Sequence, residues 1–291
     1  MFARIVTIIL PVLIIVLIGW VYGRKMRPDM RAVNTLNMDV CVPILVFSAL
    51  AAKDFDLVSQ WKLLPAAVGV IVLSGLLAWP VARATGNQVR TLLPPSMFNN
   101  CGNMGLPLAL LAFGRTGFNA FVVLFVVSNL LHFTLGACIF SRHTRFSGLL
   151  KNPIVLATAL GLVFALAGWH LPDGLMIGLK MLGDASIPLM LFALGVRMVD
   201  ANLRDWKIGL LGAALCPLSG LVAAAVIVPV LRLPLAQAGL VYLFGVLPPA
   251  VLNFMMAEIY QQEPGKMASI VLIGNLASLA FVPFGLWLAL G

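Results

Sequence analysis

The chain has 291 residues, of which 62% are hydrophobic and 10% are charged, with 19 Lys or Arg against 10 Asp or Glu. Soluble domains carry roughly 25% charged residues, and with a mean hydropathy of +1.06 a water-soluble fold has no way to bury this much apolar surface; the solvent is a bilayer. The net charge of +9 sits beside apolar runs, where it sets membrane orientation, and no basic stripe alternates with aromatics to read nucleic acid.

Apolar periodicity predicts an all-α integral membrane protein of ten spans, at about 3–22, 34–52, 63–82, 88–113, 117–140, 153–170, 175–198, 208–231, 235–258 and 267–290. Short connections remain, with no separate soluble domain. The first run has Arg4 ahead of it and Arg24, Lys25, Arg27 and Arg31 behind it. A cleavable signal has the reverse bias, so this run is expected to be a retained helix with its N-terminus outside. On that assignment thirteen Lys or Arg fall on the inner side, and five (Arg4, Lys53, Lys62, Arg115 and Arg232) on the outer. Both termini are therefore expected outside, in a bacterial inner membrane.

Within the spans the two halves echo each other. Asp39-Val-Cys-Val-Pro43-Ile-Leu-Val-Phe47 resembles Asp184-Ala-Ser-Ile-Pro188-Leu-Met-Leu-Phe192, 145 residues later. Leu93-Pro94-Pro95 with Asn99 resembles Leu247-Pro248-Pro249 with Asn253, offset by 154. Gly19-Trp20 matches Gly168-Trp169, and Asn129-Leu130 matches Asn275-Leu276. Five spans is an odd number, so the second half enters the membrane the other way up. Residues 1–140 form a first five-helix repeat and residues 152–291 its inverted copy, a plan of secondary transporters.

Span 4 carries Pro94, Pro95, Pro107, Gly102 and Gly105 together with Asn99, Asn100 and Asn103. Proline removes a donor and clashes with the preceding turn. Three Asn are costly in hydrocarbon unless they face a polar cavity. Unwound backbone at this depth has to line a cavity or be buried in protein. Span 9 repeats the pattern with Pro248, Pro249 and Asn253. Two broken helices that cross would aim their N-termini, rich in free N–H groups, at the crossing, which suits an anion. Candidate substrate-binding residues are Asn100, Gly102, Asn103, Asn152, Pro248, Pro249 and Asn253. Asp39 and Asp184 lie inside apolar spans, and Lys180 stands one turn before Asp184, within pairing reach; these three are candidates for proton coupling or gating. His132 and Asn129 read as packed or hydrogen-bonding groups, and Glu258 as an acid near water. Cys41, Cys101, Cys138 and Cys216 form no C-x-x-C and read as buried hydrophobes. No metal or cofactor is expected.

The chain resembles the auxin efflux carrier family, which includes plant PIN-formed carriers and bacterial malonate and dicarboxylate carriers. The likeness covers nearly the whole chain. It is sharpest at Asn100-Cys-Gly-Asn-Met-Gly105-Leu-Pro107, at Lys151-Asn152-Pro153, at Gly183-Asp184 through Gly195, and at Leu247-Pro248 through Phe254, Ala257 and Tyr260. The resemblance implies scaffold spans 1, 2, 6 and 7, moving transport-domain spans 3–5 and 8–10, an elevator-like shift, and a homodimer joined through the scaffold. It also implies that the substrate carboxylate sits near Asn100, Asn152 and Pro248. The family motif favours Asn100, whereas the internal repeat pairs Asn253 with Asn99. The loop from Ser141 to Lys151 is short, as in bacterial members.

The function expected is secondary active transport of a small organic anion, a mono- or dicarboxylate such as malonate, malate or an auxin-like acid. The alternative is a sodium- or proton-coupled exchanger or symporter of the same architecture, but such proteins want acids at the crossing, where this chain offers Asn. An intramembrane aspartyl protease wants G-x-G-D, and Met181 stands where the first Gly would be. No phosphate-binding G-x-x-x-x-G-K-[ST] loop is present, so the protein is not read as an enzyme. Lipid and the transported anion are the other expected partners.

Overall fold

A computed structural model describes residues 2–53, 55–141, 151–200 and 205–290. Most of the Ser141–Lys151 connection, with Arg142 and Arg145, and also Arg204, lie outside the described residues. The described chain is helical, and its one pairing of β type is an isolated antiparallel bridge between Asn99 and Pro249. Helix α1 is Phe2–Met26, α2 Arg31–Leu50, α3 Leu63–Ala84, α4 Val89–Met97, α5 Cys101–Phe140 and α6 Pro153–Ala167. Helix α7 is Asp173–Arg197, α8 Trp206–Val230, α9 Leu235–Val246, α10 Val251–Ile259 and α11 Pro264–Leu290. Among the described residues, seven helices are long and apolar enough to cross a membrane, so the chain is an integral membrane protein.

Proline sets where these helices open. A proline cannot donate to the carbonyl four residues back. In three places that carbonyl belongs to a polar residue: Asp39 before Pro43, Asn103 before Pro107 and Asp184 before Pro188. The helix responds by widening into a π turn at Asn37–Cys41 and again at Cys101–Gly105, and by a joint at Ala185 between Asp173–Asp184 and Ser186–Arg197. A third π turn, His132–Gly136, lies in α5. Such turns are rare and frequent at functional sites. Helix α5 also breaks at Gly114, whose φ of 68° and ψ of −169° are far from helical. Glycine meets that demand without a Cβ clash, and the break falls at the connection expected between spans 4 and 5.

The closest packing falls into two groups. In one, α1 lies along the second half of α7, and α2 lies against α6 and the first half of α7. In the other, α8 is the hub, packed on α11, α3, α9 and α4. The core runs through both groups and includes the fully buried Phe98, Phe118, Phe121 and Phe244. A wholly apolar recess of about 410 Å³, with Leu50, Trp61, Val126, Thr158 and Leu162 among its walls, lies where α2 and α6 face α3 and α5. The Thr158 hydroxyl in its wall is already spent on the Ile154 carbonyl (2.7 Å), and the recess is not the candidate site.

Candidate functional site: the crossing of two interrupted helices

Helix α4 ends at Phe98 in extended backbone (φ −111°, ψ 97°), and Asn99 and Asn100 lead into the π turn that opens α5. Helix α9 ends at Leu247 (φ −63°, ψ 147°), and the chain stays extended to Ala250 before α10 begins. Pro248 and Pro249 explain the second linker, because a residue before proline is pushed out of the α region. The linkers meet as a minimal antiparallel ladder. The Asn100 N–H donates to the Pro248 carbonyl (2.7 Å), and the Ala250 N–H donates to the Phe98 carbonyl (3.0 Å). These two bonds are related by a near two-fold axis through Asn99 and Pro249.

This geometry corrects the register read from sequence. The two Leu-Pro-Pro segments are not structural counterparts: Pro94 and Pro95 lie inside α4, while Pro248 and Pro249 form the linker itself. Asn99 faces Pro249, an offset of 150 rather than 154. At that offset Asn253 corresponds to Asn103, each the third residue of its half-helix. The match of proline pairs misleads because what is preserved is the extended linker, which either Asn-Asn or Pro-Pro can form.

Side-chain amides lock the ladder. Asn100 donates through Nδ2 to Asn275 Oδ1 (2.9 Å), and Asn275 donates in turn to the carbonyls of Pro249 (3.1 Å) and Val271 (2.7 Å). Asn253 donates to the carbonyls of Phe98 (2.8 Å) and Ala250 (3.1 Å), and Asn99 donates to the Phe244 carbonyl. Asn100, Asn99, Asn253 and Asn275 are all buried. Gly274 makes room for the linker, since a Cβ there would stand 2.5 Å from Pro249 Cδ. His132 stacks its ring on Phe98, with centroids 4.2 Å apart and planes 7° from parallel. From sequence His132 reads as a packed group, with nothing to connect it with the crossing. The missing signal is the partner: stacking on a residue 34 positions earlier has no local sequence signature.

The structure brings Asn100, Pro248, Pro249 and Asn253 together at the crossing. Gly102 and Asn103 follow in the first turn of α5, half-buried, where backbone N–H groups have no intrahelical acceptor. Asn152 is elsewhere in its bonding: it caps α6 by accepting from the Ile154 N–H (2.9 Å). Asp39, Lys180 and Asp184 lie on α2 and α7, outside the amide network. Lys180 is not the partner of Asp184. Arg115 is, through two parallel bonds of 2.8 and 2.7 Å. The four cysteines are unpaired, with Cys41, Cys101 and Cys216 buried and Cys138 exposed. Among the described residues no group of three or more His, Cys, Asp or Glu side chains gathers to hold a metal.

Long apolar helices interrupted where two extended linkers meet, with a first helical turn whose backbone N–H groups are left free, are the features of a membrane transporter. Comparison with known proteins agrees. The profile of the family described as membrane transport protein matches residues 4–147 and 144–286. The chain belongs to that family, the auxin efflux carrier family that its motifs resemble. It is similar to a protein named "Uncharacterized transporter" from Methanothermobacter thermautotrophicus, 28% identical over 91% of this chain and 86% of the relative. It is also similar to one named "Putative malonate transporter" from Rhizobium meliloti, 25% identical over 96% of this chain and 94% of the relative. A further uncharacterised transporter, from Methanocaldococcus jannaschii, is 19% identical over 97% of this chain and 98% of that protein.

Proposed function

We propose that this membrane transporter carries a small organic anion, a mono- or dicarboxylate, by an elevator-type alternating-access movement. The observation that carries the reading is the crossing itself, where two half-helices begin, at Cys101 and Val251, on either side of one amide-locked ladder. Helix N-termini favour negative charge. In this reading Asn103 and the first-turn amides of α5 and α10 meet the carboxylate. Asn100, Pro248, Pro249 and Asn253 hold the frame, Gly102 offers its backbone N–H while the Phe125 ring fills the place of a side chain (3.0 Å from a Cβ built there), and Asn152 approaches from the start of α6. The name of the Rhizobium relative favours malonate as the first substrate to try.

The same reading takes the fold as ten spans in two inverted five-helix repeats, residues 1–140 and 152–291. The scaffold is α1, α2, α6 and α7, and the transport domain is α3–α5 with α8–α11. Support comes from the two packing groups, and from the apolar recess between them, which presents no polar bond to resist sliding. The exposed apolar side of α1, with Leu10, Ile14, Leu17 and Ile18, suits a homodimer contact. Both termini are assigned to the outer side of a bacterial inner membrane on the Lys and Arg count.

The test is uptake of labelled malonate and a panel of mono- and dicarboxylates into proteoliposomes. Asn103→Ala should raise KM roughly tenfold, the effect of losing one charge-assisted hydrogen bond, with the melting temperature nearly unchanged because the side chain is half-exposed. If no acid in the panel is taken up, or if Asn103→Ala transports like the parent, the assignment fails.

A further inference from the structure

The Arg115–Asp184 pair joins parts that the proposed function sets in relative motion. Arg115 follows the break at Gly114, at one end of the transport helices. Asp184 stands at the α7 joint, eleven residues into the helix from Asp173, a depth of roughly 16 Å at 1.5 Å per residue. Lys53 binds Asp173 (2.7 Å), which fixes the start of α7 beside the α2–α3 connection. In the ten-span reading the Arg115 connection and the start of α7 are on the same side of the membrane, so here the transport helices are drawn well inward from that side.

Each partner has a counterpart in the other repeat. Asp184 with Pro188 matches Asp39 with Pro43 at an offset of 145, and Gly114-Arg115 matches Gly265-Lys266 at 151. Both aspartates stand where a proline opens the helix, and both cations stand at the start of the helix that follows a broken one, Arg115 just after the break at Gly114 and Lys266 in the first turn of α11. The counterparts are not engaged with each other. Lys266 binds Glu263 just ahead of its own helix (2.5 Å), Glu263 also accepts from Thr91, and the exposed Asp39 has no ion-pair partner among the described residues. Nor does any close packing among the described residues join α2 to α11, whereas α5 packs on α7.

We infer that Arg115–Asp184 and Lys266–Asp39 are alternating latches: the first closes in the state described here, and the second closes when the transport helices move to the other side. The inference rests on the proposed elevator reading and deepens it. In an inverted repeat the two halves can exchange conformations, so the opposite state is built by giving each half the geometry the other has now. Arg115 grips Asp184 with a planar fork, whereas Lys266 offers a single ammonium. The first latch is therefore the stronger, and the resting population favours the state it closes.

The test replaces the four native cysteines and introduces two pairs separately, Arg115→Cys with Asp184→Cys and Asp39→Cys with Lys266→Cys, followed by bismaleimide cross-linking in membranes. Both pairs should cross-link. Adding Asp184→Asn to the second pair should raise its yield about two- to fivefold, the effect of losing one partly exposed ion pair. Arg115→Gln should do the same, which guards against a folding defect particular to Asp184. If the 39/266 pair never links while 115/184 does, or if neither neutralisation changes its yield, the inference is overturned. Cross-linking needs no substrate, so the two readings fail separately. Both links formed without uptake of any acid would sink the anion assignment alone. Uptake without a 39/266 link would sink the latches alone.

Discussion

Asn275 shows how one side chain carries a structural decision. Its carboxamide accepts from Asn100 and donates to the linker carbonyl of Pro249, so it ties both broken helices to α11. Replacing it with Leu leaves the Asn100 amide and the Pro249 carbonyl buried without partners, at a cost of about 1–3 kcal/mol each. The expected outcome is a clear loss of thermal stability in detergent, with Asn275→Asp also destabilising because a carboxylate oxygen would replace the amide that donates to the Pro249 and Val271 carbonyls. Glu263 makes a pH-dependent contribution. Partial burial raises its carboxyl pKa, but the bonds from Lys266 and Thr91 outweigh burial and hold it below its ordinary 4.5. A depressed folded-state pKa stabilises above the ordinary value, and that stability is lost as pH falls through the lowered one. The pair is partly exposed, so the contribution is under about 1 kcal/mol. Melting followed down to about pH 3 should show a shallower acid decline for Glu263→Gln than for the parent.

At the scale of elements, the sequence marks where helices open but not what they then touch. Pro43, Pro107 and Pro188 each free the carbonyl of a polar residue, a consequence legible from spacing alone. The pairing of Asn99 with Pro249 was not legible: both linkers are extended, and the backbone ladder that joins them is indifferent to side-chain identity. The same holds for Asp184. Lys180 lies one helical turn away and is the natural local partner, yet Arg115 from a distant connection arrives with a better-matched fork. Gly274 tests the crossing as an element. Gly274→Ala puts a methyl group against Pro249, and overpacking of this kind costs about 1–3 kcal/mol. Lowered thermal stability together with reduced uptake is the expected result; unchanged melting would show that α11 has slack at this point.

For the whole molecule, the closest packing gathers α1, α2, α6 and α7 in one group and the helices around α8 in another, with α5 touching both, and the candidate site lies beside the second group. A transport domain that moves as a body needs a partner that does not. The proposed dimer supplies one by joining two scaffolds, and the exposed apolar side of α1 is the surface it would use. Mass measurement of the protein in lipid nanodiscs should give two chains per particle. A single chain per particle with full transport activity would remove the dimer from the mechanism.

Composition alone determined the solvent, because 10% charge and 62% apolar residues are compatible only with burial in lipid. Spacing marked the apolar helices and the two interrupted stretches around Asn99-Asn100 and Pro248-Pro249, since helix geometry and proline's missing donor act within a turn or two. The register of the crossing, the amide chain from Asn100 through Asn275, the stacking of His132 on Phe98 and the choice of Arg115 for Asp184 were decided by tertiary structure. Each is a contact between residues far apart in sequence, and distance in space is set by how whole helices pack rather than by any local preference of the chain.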